Sequence, residues 1–157
     1  MIMLNAIRQF VTRRMLPQPE PTAEAPAEEP QRRIRLAACA LLLELAHADG
    51  EFSSAEQAHI ESALGRHFGL DEATTRELLE LANRERLASI DHFQFTRLIV
   101  DHYDVGQRMV LAEVMWGVIL ADGKIADHEG YLVRKLAHLL ELPPAYLAEA
   151  KRAATGR

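Results

Sequence analysis

The sequence predicts an all-α protein: a compact bundle of about seven helices with an internal pseudo-twofold helix–loop–helix repeat. Three observations carry that expectation. The segment Ala48-Asp49-Gly50-Glu51-Phe52-Ser53-Ser54-Ala55-Glu56 returns 73 positions later as Ala121-Asp122-Gly123-Lys124-Ile125-Ala126-Asp127-His128-Glu129, with alanine, aspartate, glycine, a large apolar residue and glutamate at the same offsets. Each copy follows an almost wholly apolar run and opens a stretch with helical period. No alternating apolar–polar run of strand type occurs.

Taken in order, Met3, Ile7, Phe10, Val11 and Met15 fall on one face of an amphipathic helix within residues 1–16. Arg8, Arg13 and Arg14 are the only charged side chains there. Ile7, Phe10, Val11 and Met15 are therefore candidates for membrane or partner contact, with the three arginines facing anionic lipid. Docking on the chain's own domain is the alternative, and it buries the same face. Residues 17–31 hold Pro17, Pro19, Pro21, Pro26 and Pro30 among glutamates and alanines. Such a stretch buries too little apolar area to offset ordering and reads as a disordered linker.

The domain proper, 32–157, reads as helix throughout. Arg32 to Ala48 forms a first core helix. Ser53 to Phe68 forms the second, with Ile60, Ala63, Leu64 and Phe68 inward and Gly69 at its end. Asp71 caps a third helix built on Leu78, Leu81 and Ala82, and Ser89 a fourth through Phe95, Ile99 and Tyr103. A fifth runs from about Asp104 to Ala121. The sixth runs from Asp127 to Leu140, and Pro143 and Pro144 suit the first turn of the last. The two near-continuous apolar helices, first and fifth, should lie side by side at the centre, since a helix apolar all round must be covered all round.

Composition excludes several classes. A formal net charge of −5 over 157 residues argues against nucleic acid as a partner. The longest apolar runs contain Glu44 and Glu113 and fall short of a membrane span. The basic residues of the N-terminus follow rather than precede its apolar ones, unlike a secretion signal. The single cysteine, Cys39, makes no internal disulfide and reads as a small buried hydrophobe. A cytoplasmic protein is expected, with the inner membrane surface as the place where the N-terminal helix would act.

The doubled loop is the candidate site. Asp49 and Gly50 followed by Glu56 match the second half of a calcium-binding EF-hand loop, and Asp122, Gly123 and Glu129 repeat the match. The upstream ligand positions hold Leu45, His47, Val118 and Leu120, so neither loop alone supplies the six to eight oxygens calcium takes. A divalent cation would have to be shared by Asp49, Glu56, Asp122 and Glu129. A second account needs no ligand: Ser53 and Glu56 form a capping box, Asp49 and Asp122 fold onto loop amides, and Asp127 takes over capping beside Ala126. His47 and His128 stand close enough in sequence to join a site, whereas His59, His67, His92, His102 and His138 read as packing residues. No nucleophile beside a base and no glycine-rich phosphate loop is present, so no enzyme is expected and no catalytic residue or cofactor is assigned.

The segment Leu36-Ala37-Ala38-Cys39-Ala40-Leu41-Leu42-Leu43-Glu44-Leu45-Ala46-His47-Ala48-Asp49-Gly50 resembles the opening of the tellurite-resistance TerB family. Val118-Ile119-Leu120-Ala121-Asp122-Gly123-Lys124-Ile125 resembles its second Ala-Asp-Gly segment. Arg66-His67-Phe68-Gly69-Leu70 and Phe95-Thr96-Arg97-Leu98-Ile99 are similar to an uncharacterised bacterial TerB-like branch. The resemblance covers about residues 32–153 and implies a seven-helix pseudo-symmetric bundle. It also implies a role in tellurite or stress resistance, in metal sensing, or in scaffolding at the inner membrane surface. Related domains occur beside J-domain co-chaperones, but no His-Pro-Asp motif exists here. Ala126 in place of a capping residue and Lys124 inside the second acidic loop depart from the pattern. Two readings follow: a non-enzymatic binding or scaffold module that presents acidic loops to a protein partner, or a divalent-metal-binding module.

Overall fold

A computed structural model describes residues 2–16, 29–48, 51–88 and 93–155. Among the described residues the chain is all helix: α1 (Ile2–Arg14), α2 (Glu29–Ala48), α3 (Ser54–Phe68), α4 (Glu72–Ala88), α5 (Gln94–His102), α6 (Val105–Ala121), α7 (Gly123–Ala126), α8 (Glu129–Leu139) and α9 (Pro144–Ala154). α2 begins inside the stretch read as linker. The rest of that stretch, 17–28, lies outside the described residues, as do Asp49, Gly50 and Ser89.

The two apolar helices meet as their composition requires. α2 packs on α6 and is also covered by α3, α4 and α5. Every residue from Leu36 to Ala46 is buried, Cys39 and Glu44 included. Small side chains at Ala37, Ala38, Cys39 and Ala40 let neighbouring backbones approach closely. Burial pushes the Cys39 thiol up to about 12, so it stays protonated and serves as packing. On its other side α6 lies along α9, where Trp116 is buried beneath the Lys151 ammonium, 5.6 Å from the ring centre.

α1 packs on α5 and α4 as part of the same core. Ile7, Phe10, Val11 and Met15 are each at most 1% exposed, and Phe10 meets Phe95 edge to face at 6.3 Å. The docked alternative is thus the arrangement of this structure. The four apolar side chains offered above for membrane or partner contact face the protein interior, covered by α4 and α5. Arg8 and Arg13 remain exposed and Arg14 is half-buried. The end of α1 is tied down by polar contacts. Tyr103 donates its hydroxyl to the Met15 carbonyl (2.7 Å), and Arg33 donates to the carbonyls of Arg13 (2.6 Å) and Leu16 (3.1 Å). These are carbonyls that a helix end leaves unpaired.

Helix starts follow local chemistry in three places. Ser53 with Glu56 and Asp104 with Gln107 form full capping boxes on α3 and α6, and Asp71 accepts the Thr74 amide at 2.7 Å to start α4. The start of α5 is different. Its first amides are taken by two buried acids from other helices: Gln94 N–H by Glu85 (3.0 Å), and Phe95 and Thr96 N–H by Glu44 (2.7 and 2.9 Å). The second repeat unit also departs from expectation. The helix expected over Asp127–Leu140 is α8, which starts two residues later at Glu129; a four-residue α7 precedes it, and Asp127 ends α7 instead of capping α8.

Candidate functional site

The apolar residues that occupy the same offset in the two repeats, Phe52 and Ile125, are both buried and both line one small cavity. It measures about 110 Å³ and is bounded by Phe52, Ala55, Glu56, His59 and Ile60 from the first unit and Lys124, Ile125 and His128 from the second. The two loops therefore meet face to face, at a slot whose floor is apolar and whose rim is charged.

Contacts between the units are histidine–carboxylate pairs. His59 Nε2 lies 3.0 Å from both carboxylate oxygens of Asp122. His128 bridges two acids, with Nδ1 3.2 Å from Glu51 and Nε2 3.1 Å from Glu56, while its ring packs on Phe52 at 4.3 Å. Burial works against a charged His128, but the hydrogen bonds to Glu51 and Glu56 outweigh it and raise the imidazole above its ordinary value. Glu56 is held below its ordinary value, first by the Ser53 amide and then by His128. Burial would raise Asp122, yet the bond to His59 and the loop amides of Ile125 and Lys124 leave it lowered.

The acids expected to share a cation are thus engaged separately. Asp122 accepts from the amides of Lys124 (3.0 Å) and Ile125 (3.1 Å), folding onto its own loop as the ligand-free account requires. Glu56 closes its capping box and meets His128; Glu129 pairs with Lys151 of α9. Asp49 lies outside the described residues. Among the described residues no three His, Cys, Asp or Glu side chains converge as a metal site, and Lys124 lines the same slot. The described residues do not fit a shared divalent ion.

His47, a candidate for the site, instead meets Glu61 at 3.0 Å, and its Nδ1 is buried without a hydrogen-bond partner. His59 is the residue the sequence undervalued. Its one available signal is position: it stands three residues after Glu56, on the same face of α3. No described helix is long and apolar enough to cross a membrane.

Comparison with known proteins agrees with this architecture. No curated protein and no solved structure matches the chain. The family described as "Tellurite resistance protein TerB" matches over residues 35–152, from α2 through α9. With three quarters of its length matched, and both acidic loops inside the match, the chain belongs to the TerB family.

Proposed function

We propose that this TerB domain is a non-enzymatic cytoplasmic binding module, acting in a stress or tellurite-resistance setting, whose inter-loop slot receives an apolar side chain of a protein partner. The slot carries the reading. Its volume of about 110 Å³ is a little under the roughly 150 Å³ of an engineered cavity that admits benzene, so it suits one leucine- or phenylalanine-sized anchor. Exposed Glu56 lines it and exposed Glu51 pairs with His128 at its rim, which favours a basic residue beside that anchor on the side away from Lys124. Histidine pairs fasten the two loops together, so the slot is formed before a partner arrives, which limits the ordering cost of binding.

Ala55 lines the slot while being exposed, so Ala55→Trp fills the cavity without disturbing the core. Proteins cross-linked to the wild type in tellurite-challenged cells should be recovered at least tenfold less with Ala55→Trp, and salt should weaken their capture. Undiminished recovery by Ala55→Trp would overturn the reading. The divalent-metal alternative has its own readout. Calorimetric heats with calcium, magnesium, manganese or zinc that vanish in the Asp49→Asn, Asp122→Asn double variant would establish it in place of the slot.

A further inference from the structure

At the opposite end of α2 from the acidic loops the charge changes sign. A cleft of about 390 Å³ opens where the end of α1, the beginning of α2 and the α3–α4 turn meet. Arg14, Arg32 and Arg35 line it, and the turn from Gly69 to Asp71 closes its far side. In a chain of net charge −5, three arginines against one acid is a local reversal.

The acid is already committed. Asp71 accepts from the Thr74 amide at 2.7 Å and from the Thr74 hydroxyl at 3.0 Å, capping α4. That hydroxyl in turn accepts from Arg14 Nη2 at 2.7 Å, and Arg14 Nη1 lies 3.9 Å from Glu77, which together fix the Arg14 fork at the cleft wall. Arg33, between the other two arginines of α2, turns inward to the α1 carbonyls. Arg32 and Arg35 are exposed, line the cleft, and make no ion pair or hydrogen bond with any described residue. Arg32 and Arg35, with no counter-charge among the described residues, repel one another, an arrangement that an anion relieves. Arginine forks match phosphate oxygens in bidentate geometry, and the cleft volume falls within the roughly 300–1,000 Å³ of ligand pockets, larger than one bare ion needs.

We propose that this cleft binds a phosphorylated ligand, its terminal phosphoryl oxygens held by Arg14, Arg32 and Arg35. Because Arg14 belongs to α1 and the other two to α2, the ligand bridges the N-terminal helix to the bundle and favours the docked position of α1. The phosphoryl group comes from either a soluble phosphorylated molecule or a phosphomonoester lipid headgroup, and the chemistry of capture is the same.

The test uses the full chain in low-salt buffer. Pyrophosphate titrated calorimetrically should give saturable binding that weakens at least tenfold in Arg32→Ala, Arg35→Ala, whose exposed positions leave the helical spectrum unchanged. Co-sedimentation with vesicles containing phosphatidic acid, against phosphatidylserine vesicles of equal charge, separates the sources. Selective sedimentation with phosphatidic acid, lost in the double variant, assigns a lipid headgroup; pyrophosphate binding without sedimentation assigns a soluble ligand. Binding of pyrophosphate and vesicles by the double variant as strong as by the wild type would overturn the proposal, as would no saturable binding by the wild type to either. Charge reversal at Arg14 supplies a second check: Arg14→Glu should abolish pyrophosphate binding, and full retention would remove Arg14 from the site.

Discussion

Glu44 stands in the middle of an apolar helix, 2% exposed, because α5 begins against it with amides that need acceptors. Its carboxylate takes the amides of Phe95 and Thr96 and the Thr96 hydroxyl (2.7 Å), and it shares a hydrogen bond with Glu85, which takes the next amide back. Burial and the neighbouring Glu85 raise Glu44 well above the ordinary glutamate value. Replacing it with alanine strands three buried donors, and unfolding by denaturant should show a loss of about 2–4 kcal/mol. Glu44→Gln keeps an acceptor and should lose less. With the native value above the unfolded one, the contribution of this raised carboxyl is full at low pH and fades as pH rises through the native value. The deficit of Glu44→Gln should therefore shrink toward alkaline pH. A loss in Glu44→Ala under about 0.5 kcal/mol would contradict the capping role.

At the scale of elements, two helix ends repeat one geometry with different residues. α3 ends in Gly69 at φ 58°, and the turn after α8 holds Glu141 at φ 54°. Each is followed by a leucine, Leu70 and Leu142, and the Leu142 amide reaches back to the Ala137 carbonyl at 3.2 Å. Left-handed backbone suits glycine and costs a residue with a Cβ about 1 kcal/mol. Arg108 helps hold the second turn, donating to the carbonyls of Leu140 (2.8 Å) and Glu141 (3.2 Å). Glu141→Gly should raise stability by up to about 1 kcal/mol, and Gly69→Ala should lower it by a similar amount. Chemical denaturation of both variants checks this; a stabilised Gly69→Ala would refute it.

For the whole molecule, the pairs that join the loops set a pH dependence. The native value of His128 lies above its ordinary 6.5, so its contribution is complete below that value and is lost as pH rises through the native one. Glu56 lies below its ordinary 4.5, so its contribution is complete above that value and is lost as pH falls through the native one. Both act fully between those two ordinary values. His128→Gln should flatten the fall in stability above about pH 6.5, followed by the fluorescence of Trp116, the single tryptophan. An identical pH profile in wild type and variant would show that the bridge to Glu51 and Glu56 contributes nothing.

Much of the fold was legible because it depends on neighbours in sequence. Helical period marked the inward faces of α3 and α4. The Ser53–Glu56 spacing announced a cap, and the doubled Ala-Asp-Gly segment located the loops that meet at the slot. The sequence by itself determined the helical class, the family and the central pairing of α2 with α6, since a helix apolar all round has no stable place but the middle. Tertiary structure alone decided who meets whom among polar groups. Nothing local links Glu44 to Phe95, His59 to Asp122 or Arg32 and Arg35 to the turn at Gly69, and a hydrogen bond across dozens of residues leaves no periodic trace. The same holds for α1. Its amphipathic face is written in Ile7, Phe10, Val11 and Met15, but an apolar face asks only to be covered. The groove of α4 and α5, with Tyr103 and Arg33 waiting at its end, determined that this protein's own core covers it.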